Sequence, residues 1–168
     1  MAIARIVNSV DETSFKPDSN MTRAQFVTLL SRALQLQSSG TVGTFSDVSA
    51  DAWYNKAVYA AREANIVSGV SEKEFAPDAF ITREQMAVMM VNAYLFATGK
   101  KLSDLVITQE VKYSDEGSIS DWARTYVRAS SGLGLVNGTD AGNFAPADNS
   151  TRAQAAVVLH LMLAKLNK

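Results

Sequence analysis

A single spacing recurs three times along this chain. Val7-Asn8-Ser9-Val10 leads to Phe15-Lys16-Pro17-Asp18, Val67-Ser68-Gly69-Val70 to Phe75-Ala76-Pro77-Asp78, and Val136-Asn137-Gly138-Thr139 to Phe144-Ala145-Pro146. Ten residues separate Val from Pro in each copy, and five more lead to Thr22-Arg23-Ala24-Gln25, Thr82-Arg83-Glu84-Gln85 and Thr151-Arg152-Ala153-Gln154. The threonines lie 60 and then 69 residues apart, so one unit is repeated and the slack sits in the connectors. A second block precedes two of the copies. Phe45-Ser46-Asp47 with Asp51-Ala52-Trp53-Tyr54 matches Tyr113-Ser114-Asp115 with Ser120-Asp121-Trp122-Ala123, and Trp stands 14 residues before Val in both. The first copy lacks that block, so it is expected without its leading helix.

Caps and periodicity make the repeats helical. Each Thr-x-x-Gln reads as a capping box, with Met21 and Phe26, and Ile81 and Met86, placed for a hydrophobic staple. Behind the boxes run Phe26, Leu29, Leu30, Ala33, Leu34; then Met86, Met89, Met90, Ala93, Tyr94; then Ala155, Val158, Leu159, Met162, Leu163. Spacings of three and four give helices with one buried face. The upstream helix is expected to start at an N-capping Asp51 or Ser120, to bury Trp53 with Ala57, Ala60 and Ala64, and to end at Asn65 or Gly134. The expected fold is all-α, three helix-loop-helix repeats: a partial repeat at 1–40, a second at 41–100, a connector at 101–111 and a third at 112–168.

Composition then removes whole classes of function. Sixteen Lys+Arg against seventeen Asp+Glu leave no basic excess for a nucleic-acid partner. With no Cys there are no thiolate metal sites, and the single histidine, His160, is flanked by Val158, Leu159 and Leu161. No carboxylate pair recurs with a supporting His or a metal spacing, and the Asp47–Asp51 stretch lacks the pattern of a calcium loop. The reading is therefore no enzyme, no metal and no cofactor. Apolar runs are too interrupted for membrane insertion. The first residues also lack a signal peptide's basic start and apolar run, so an exported protein is expected to be represented here by a mature fragment.

Three arginines stand where a helix does not want them. Arg23, Arg83 and Arg152 occupy the first helical position, where the dipole disfavours a cation by roughly 0.3–1 kcal/mol. One reading makes each an anion receptor beside free helix amides. The other makes it the ion-pair partner of an Asp five residues upstream, Asp18 or Asp78. On the receptor reading, replacing the arginine is expected to leave folding nearly untouched. Trp53 and Trp122 likewise carry two readings, core packing or a stacking face for a sugar. Gly69 and Gly138 permit close backbone approach and positive φ, or simply make a turn.

These motifs resemble, in family order, the S-layer homology domain. The resemblance covers nearly the whole chain, with the first motif lacking its leading half. It implies a pseudo-threefold helical bundle with grooves between motifs. It also implies a non-catalytic module, secreted to the cell wall of a mainly Gram-positive type of bacterium, that binds a secondary cell-wall polysaccharide, often through pyruvylated N-acetylmannosamine. The implied ligand residues are Arg23, Arg83 and Arg152 for the pyruvate carboxylate, Asp47, Asp115, Trp53 and Trp122 for the sugar, and Gly69 and Gly138 beside it. The boxes depart from the family's usual Thr-Arg-Ala-Glu by ending in Gln, and Ala76 and Ala145 replace a basic residue that survives as Lys16. Because each groove draws on neighbouring motifs, at least one is expected to be incomplete. The partial first copy is expected to be completed by a preceding segment or by a dimer partner. The alternative function is a structural or protein-interaction helical array with no glycan ligand.

Overall fold

A computed structural model describes residues 15–40 and 44–167. The described residues form five helices: α1 (Arg23–Ala33), α2 (Asn55–Glu63), α3 (Arg83–Thr98), α4 (Asp121–Gly132) and α5 (Arg152–Leu166). Short 3₁₀ turns occupy Leu102–Asp104 and Glu116–Ser118, and three isolated antiparallel bridges stand in place of a sheet. The fold is all-α. Helix α2 packs on α1 and α4 on α3, while α5 touches both α1 and α3.

The three capping boxes close as their sequence requires. The Thr22, Thr82 and Thr151 hydroxyls accept from the Gln25, Gln85 and Gln154 amides, and each Gln side chain accepts in return from the Thr backbone N–H. The remaining orphan donors go to the next repeat. Arg23 and Ala24 N–H donate to the Ala79 and Pro77 carbonyls, Arg83 and Glu84 to Asp148 and Pro146, and Arg152 and Ala153 to Ser19 and Pro17. The first repeat thus binds the second, the second the third, and the third the first. These amides are not free, which corrects the expectation that they receive an anion.

A smaller ring lies inside the first. Met21 N–H donates to Ser150 O at 3.0 Å, Ser150 N–H to Ile81 O at 2.9 Å, and Ile81 N–H to Met21 O at 2.9 Å. All three residues are fully buried. They precede the three capping threonines, so the repeats meet at their equivalent residues and close on themselves. Met21 and Ile81 belong to one hydrophobic core with Phe26, Leu30, Phe75, Met86, Met90, Phe144 and Leu159.

The upstream helices differ at their starts. Helix α4 begins at Asp121 behind Ser120, as expected, although the Ser120 side chain makes no bond to its own helix. Helix α2 begins only at Asn55, because Ser49 to Tyr54 form successive tight turns, with Ala52 N–H on Ser49 O and Asn55 N–H on Ala52 O. Asp51 is therefore no N-cap. Both helices end as read: Asn65 (φ 57°) and Gly134 (φ 70°) are left-handed, and paired bonds from Asn65 to Arg62 O and Ile66 to Ala61 O close a Schellman motif. The Val7–Val10 segment, and the question of what completes the first repeat, fall outside the described residues.

Candidate functional site

Each first-turn arginine reaches across to the next repeat. Arg23 Nε donates to Phe75 O at 2.9 Å and Nη2 to Ser68 O at 3.2 Å. Arg83 repeats this with Phe144 O at 2.8 Å and Asn137 O at 2.6 Å, and Arg152 Nε donates to Phe15 O at 2.7 Å. Every guanidinium also lies over the ring of the same Phe, 4.7–5.2 Å from its centroid. All three arginines are buried. Arg23 and Arg83 form no ion pair with Asp18 or Asp78, so the ion-pair reading is corrected: their partners are carbonyls and rings of the neighbouring repeat. These contacts argue that Arg→Ala costs stability, against the expectation that it spares folding.

Carbonyl pairing leaves positive charge in place. Burial lowers the Arg23 pKa to about 10, with Asp47 pulling the other way, so the side chain stays cationic at neutral pH. The guanidinium is held at Nε and Nη2, while the two Nη1 N–H donors are left without a protein acceptor among the described residues.

Asp47 and Asp115 hold the turns to which the arginines bond. The Asp47 carboxylate accepts from Phe75 N–H at 2.8 Å and Ala76 N–H at 2.7 Å; Asp115 accepts from Phe144 and Ala145 N–H, each at 2.8 Å. Ala76 (φ 57°), Ala145 (φ 55°) and Lys16 (φ 47°) are left-handed without being glycine, a conformation that turns adjacent amides toward one anion. Burial works against the Asp115 charge, but the Phe144 and Ala145 amides and nearby Arg83 hold its pKa below the usual carboxylate range.

Gly69 and Gly138 serve packing. A Cβ at Gly69 would overlap the Ser71 and Glu74 carbonyls and the Phe45 ring; at Gly138 it would overlap the Tyr113 ring and Asn143 O. Neither glycine has a positive φ, so close approach is the part of the expectation that stands.

The tryptophans correct the core reading. Trp53 is 65% and Trp122 56% exposed. Trp122 forms one wall of a groove of about 520 Å³, with Arg23, Gly69, Gln85, Asn92 and Tyr126 among the other walls. Three repeats thus contribute to one groove, and it unites three of the nine sequence candidates: Arg23, Gly69 and Trp122. Trp53 lines a second depression with Thr28, Arg32 and Lys56. Arg83 bonds the carbonyl of Asn137 beside Gly138, and on α5 Val157 is 56% exposed. Sequence reading missed Gln85, Asn92 and Tyr126. Their signal was available: Tyr126 follows Trp122 by one helical turn, and Gln85 and Asn92 share one face of α3.

Structure and sequence together define a cyclic three-repeat helical module with an amphipathic groove walled by one arginine and one exposed tryptophan. The family model described as S-layer homology domain matches residues 4–27, 44–87 and 112–156, and the chain belongs to that family. It is similar to an amylopullulanase of Thermoanaerobacterium thermosulfurigenes, 38% identical over 98% of this chain and 9% of that protein. It is also similar to a surface-layer 125 kDa protein of Lysinibacillus sphaericus, 32% identical over 92% of this chain and 13% of that protein. A cellulosome-anchoring protein of Acetivibrio thermocellus is 27% identical over 89% of this chain and 33% of that protein. The chain therefore spans a tenth to a third of the length of these relatives. Among the described residues no helix is long and apolar enough to cross a membrane.

Proposed function

We propose that this domain is a non-catalytic module that anchors a longer protein to the bacterial cell surface by binding an anionic wall glycan. The observation that carries this reading is the meeting of Arg23, Gly69 and Trp122, one from each repeat, in a single groove. Trp122 offers an exposed aromatic face to the C–H side of a sugar ring. Arg23 Nη1 supplies two donors to a carboxylate such as that of pyruvylated N-acetylmannosamine. Gln85 and Asn92 bring amide groups to hydroxyl or acetamido substituents. In this reading Asp47 acts behind the groove, fixing the turn that holds Arg23, and Asp115 fixes the equivalent turn for Arg83. The surface-layer and cellulosome-anchoring names of two relatives agree with a cell-surface role.

A structural array without a glycan ligand is the second reading, favoured by the carbonyl bonds and ring contacts that employ all three arginines. Pull-down on purified cell walls separates the two. Walls retaining their secondary polymer should capture the domain, walls stripped of it should not, and free pyruvylated N-acetylmannosamine should compete. Equal capture by both walls, or none by either, overturns the glycan reading.

A further inference from the structure

Glu84 is the one acidic residue in the first turn of α1, α3 or α5, and its carboxylate reaches out of its own repeat. Oε2 accepts from the Ser120 backbone N–H at 3.0 Å, and Oε1 accepts from the Ser120 hydroxyl at 2.7 Å. Ser120 is the N-cap of α4, two residues before Trp122, and it makes no capping bond to α4 with its own side chain. Glu84 thus sits where the N-terminal ends of α3 and α4 converge, and both helix dipoles favour its charge. It is 8% exposed, so these bonds are poorly accessible to competing water.

The equivalent place in the other block is built differently. Ala24 stands at the Glu84 position and Asp51 at the Ser120 position. No such clamp forms there, and α2 starts at Asn55, leaving Trp53 in the turn ahead of the helix. With the clamp, α4 starts at Asp121 and carries Trp122 inside its first turn. We infer that Glu84 is a positioning residue for the groove: it fixes the start of α4 and thereby the orientation of the Trp122 indole toward the ligand. This inference rests on the proposed glycan reading only for the ligand, not for the indole.

The test uses the full chain in a Trp53→Phe background, in which Trp122 is the sole tryptophan. Glu84→Ala places there the residue that α1 and α5 already carry and with which both form. Glu84→Gln keeps an oxygen for the Ser120 N–H and an amide for its hydroxyl. Acrylamide quenching without ligand should rise about twofold in Glu84→Ala as the helix start loosens, and return to the parent value in Glu84→Gln. Calorimetric titration with pyruvylated N-acetylmannosamine should weaken about tenfold in Glu84→Ala and recover in Glu84→Gln, because misorientation rather than charge is what binding loses. In the converse Trp122→Phe background, Trp53 quenching should not respond to Glu84→Ala. Unchanged Trp122 quenching in Glu84→Ala overturns the inference, and so does an equal rise at Trp53, which would mark general loosening. Failure of the parent protein to bind the sugar overturns the glycan reading instead, and the quenching arms still decide the role of Glu84.

Discussion

The surroundings of Arg23 and of Arg83 are alike on the inside and unlike on the outside. Both guanidiniums bond the Phe carbonyl of the next repeat and a carbonyl beside its glycine, and each lies over the ring of the Phe it bonds, Phe75 for Arg23 and Phe144 for Arg83. Over α3, next to Arg23, Trp122 and Tyr126 of α4 complete a groove, and Val88 is half-buried there. On α5 the equivalent Val157 is 56% exposed. The arginine geometry therefore belongs to the fold, as part of ring closure, and the helix of the following repeat is what adds a groove beside it. In the proposed function, recognition is added on top of a structural contact.

Replacing the arginines pulls these two roles apart. Arg23→Ala and Arg83→Ala each orphan two carbonyls and remove a ring contact, at a cost of about 3 kcal/mol in urea or thermal unfolding. Only Arg23→Ala should also lose binding of a pyruvylated sugar in the Trp122 groove. Equal loss of binding in both would break the distinction drawn here.

The turn behind Arg83 gives the next largest effect. Asp115→Asn should cost about 1–2 kcal/mol near neutral pH, since a neutral amide cannot accept both the Phe144 and Ala145 N–H bonds. The folded pKa of Asp115 is depressed, so its contribution is complete above the unfolded carboxyl value of about 3.9 and is lost as pH falls through the lower folded value. Unfolding curves of parent and variant should therefore converge on acidification below about pH 4. A gap that persists into strong acid would show that the charge is not what the turn uses.

The smallest effect lies on the axis itself. Ser150 fills the position that Met21 and Ile81 hold in the other repeats, and its Oγ is buried without a hydrogen-bond partner. Ser150→Ala should raise stability by up to about 1 kcal/mol while keeping the backbone ring, read as a higher Tm. A lower Tm would mean that the hydroxyl has a role the ring does not show.

Local chemistry was legible in the sequence and chemistry between repeats was not. The Thr-x-x-Gln boxes, the helices behind them and the left-handed stops at Asn65 and Gly134 depend on neighbours three to six residues away, and all formed as read. The bonds from Arg23 to Phe75 and from Arg83 to Phe144 span 52 and 61 residues, beyond the reach of any periodic pattern. Trp53 and Trp122 carry two readings in the sequence, core packing or a stacking face, because a first-turn Trp on an Ala-striped helix suits either. They are exposed because Val58 and Ala61 of α2, and Ala123 and Val127 of α4, take the packing instead; of the expected stripe Ala60 is buried, while Ala57 and Ala64 are only half-buried. Asp51 and Ser120 looked equivalent until Glu84 captured one of them. Of the groove, Arg23, Gly69 and Trp122 were foreseen as residues, but their meeting from three repeats follows only from the cyclic order of the repeats.

The central claim is that the groove walled by Trp122 is where the wall glycan binds. Calorimetric titration of pyruvylated N-acetylmannosamine into the parent chain, Trp122→Ala and Trp53→Ala tests it directly. Both side chains are more than half exposed, so neither substitution should shift stability by more than about 0.5 kcal/mol. The account predicts that Trp122→Ala weakens binding by at least about tenfold, the size of one lost aromatic stacking contact, while Trp53→Ala retains the parent affinity in that groove. Parent-like affinity in Trp122→Ala, or loss confined to Trp53→Ala, would contradict it.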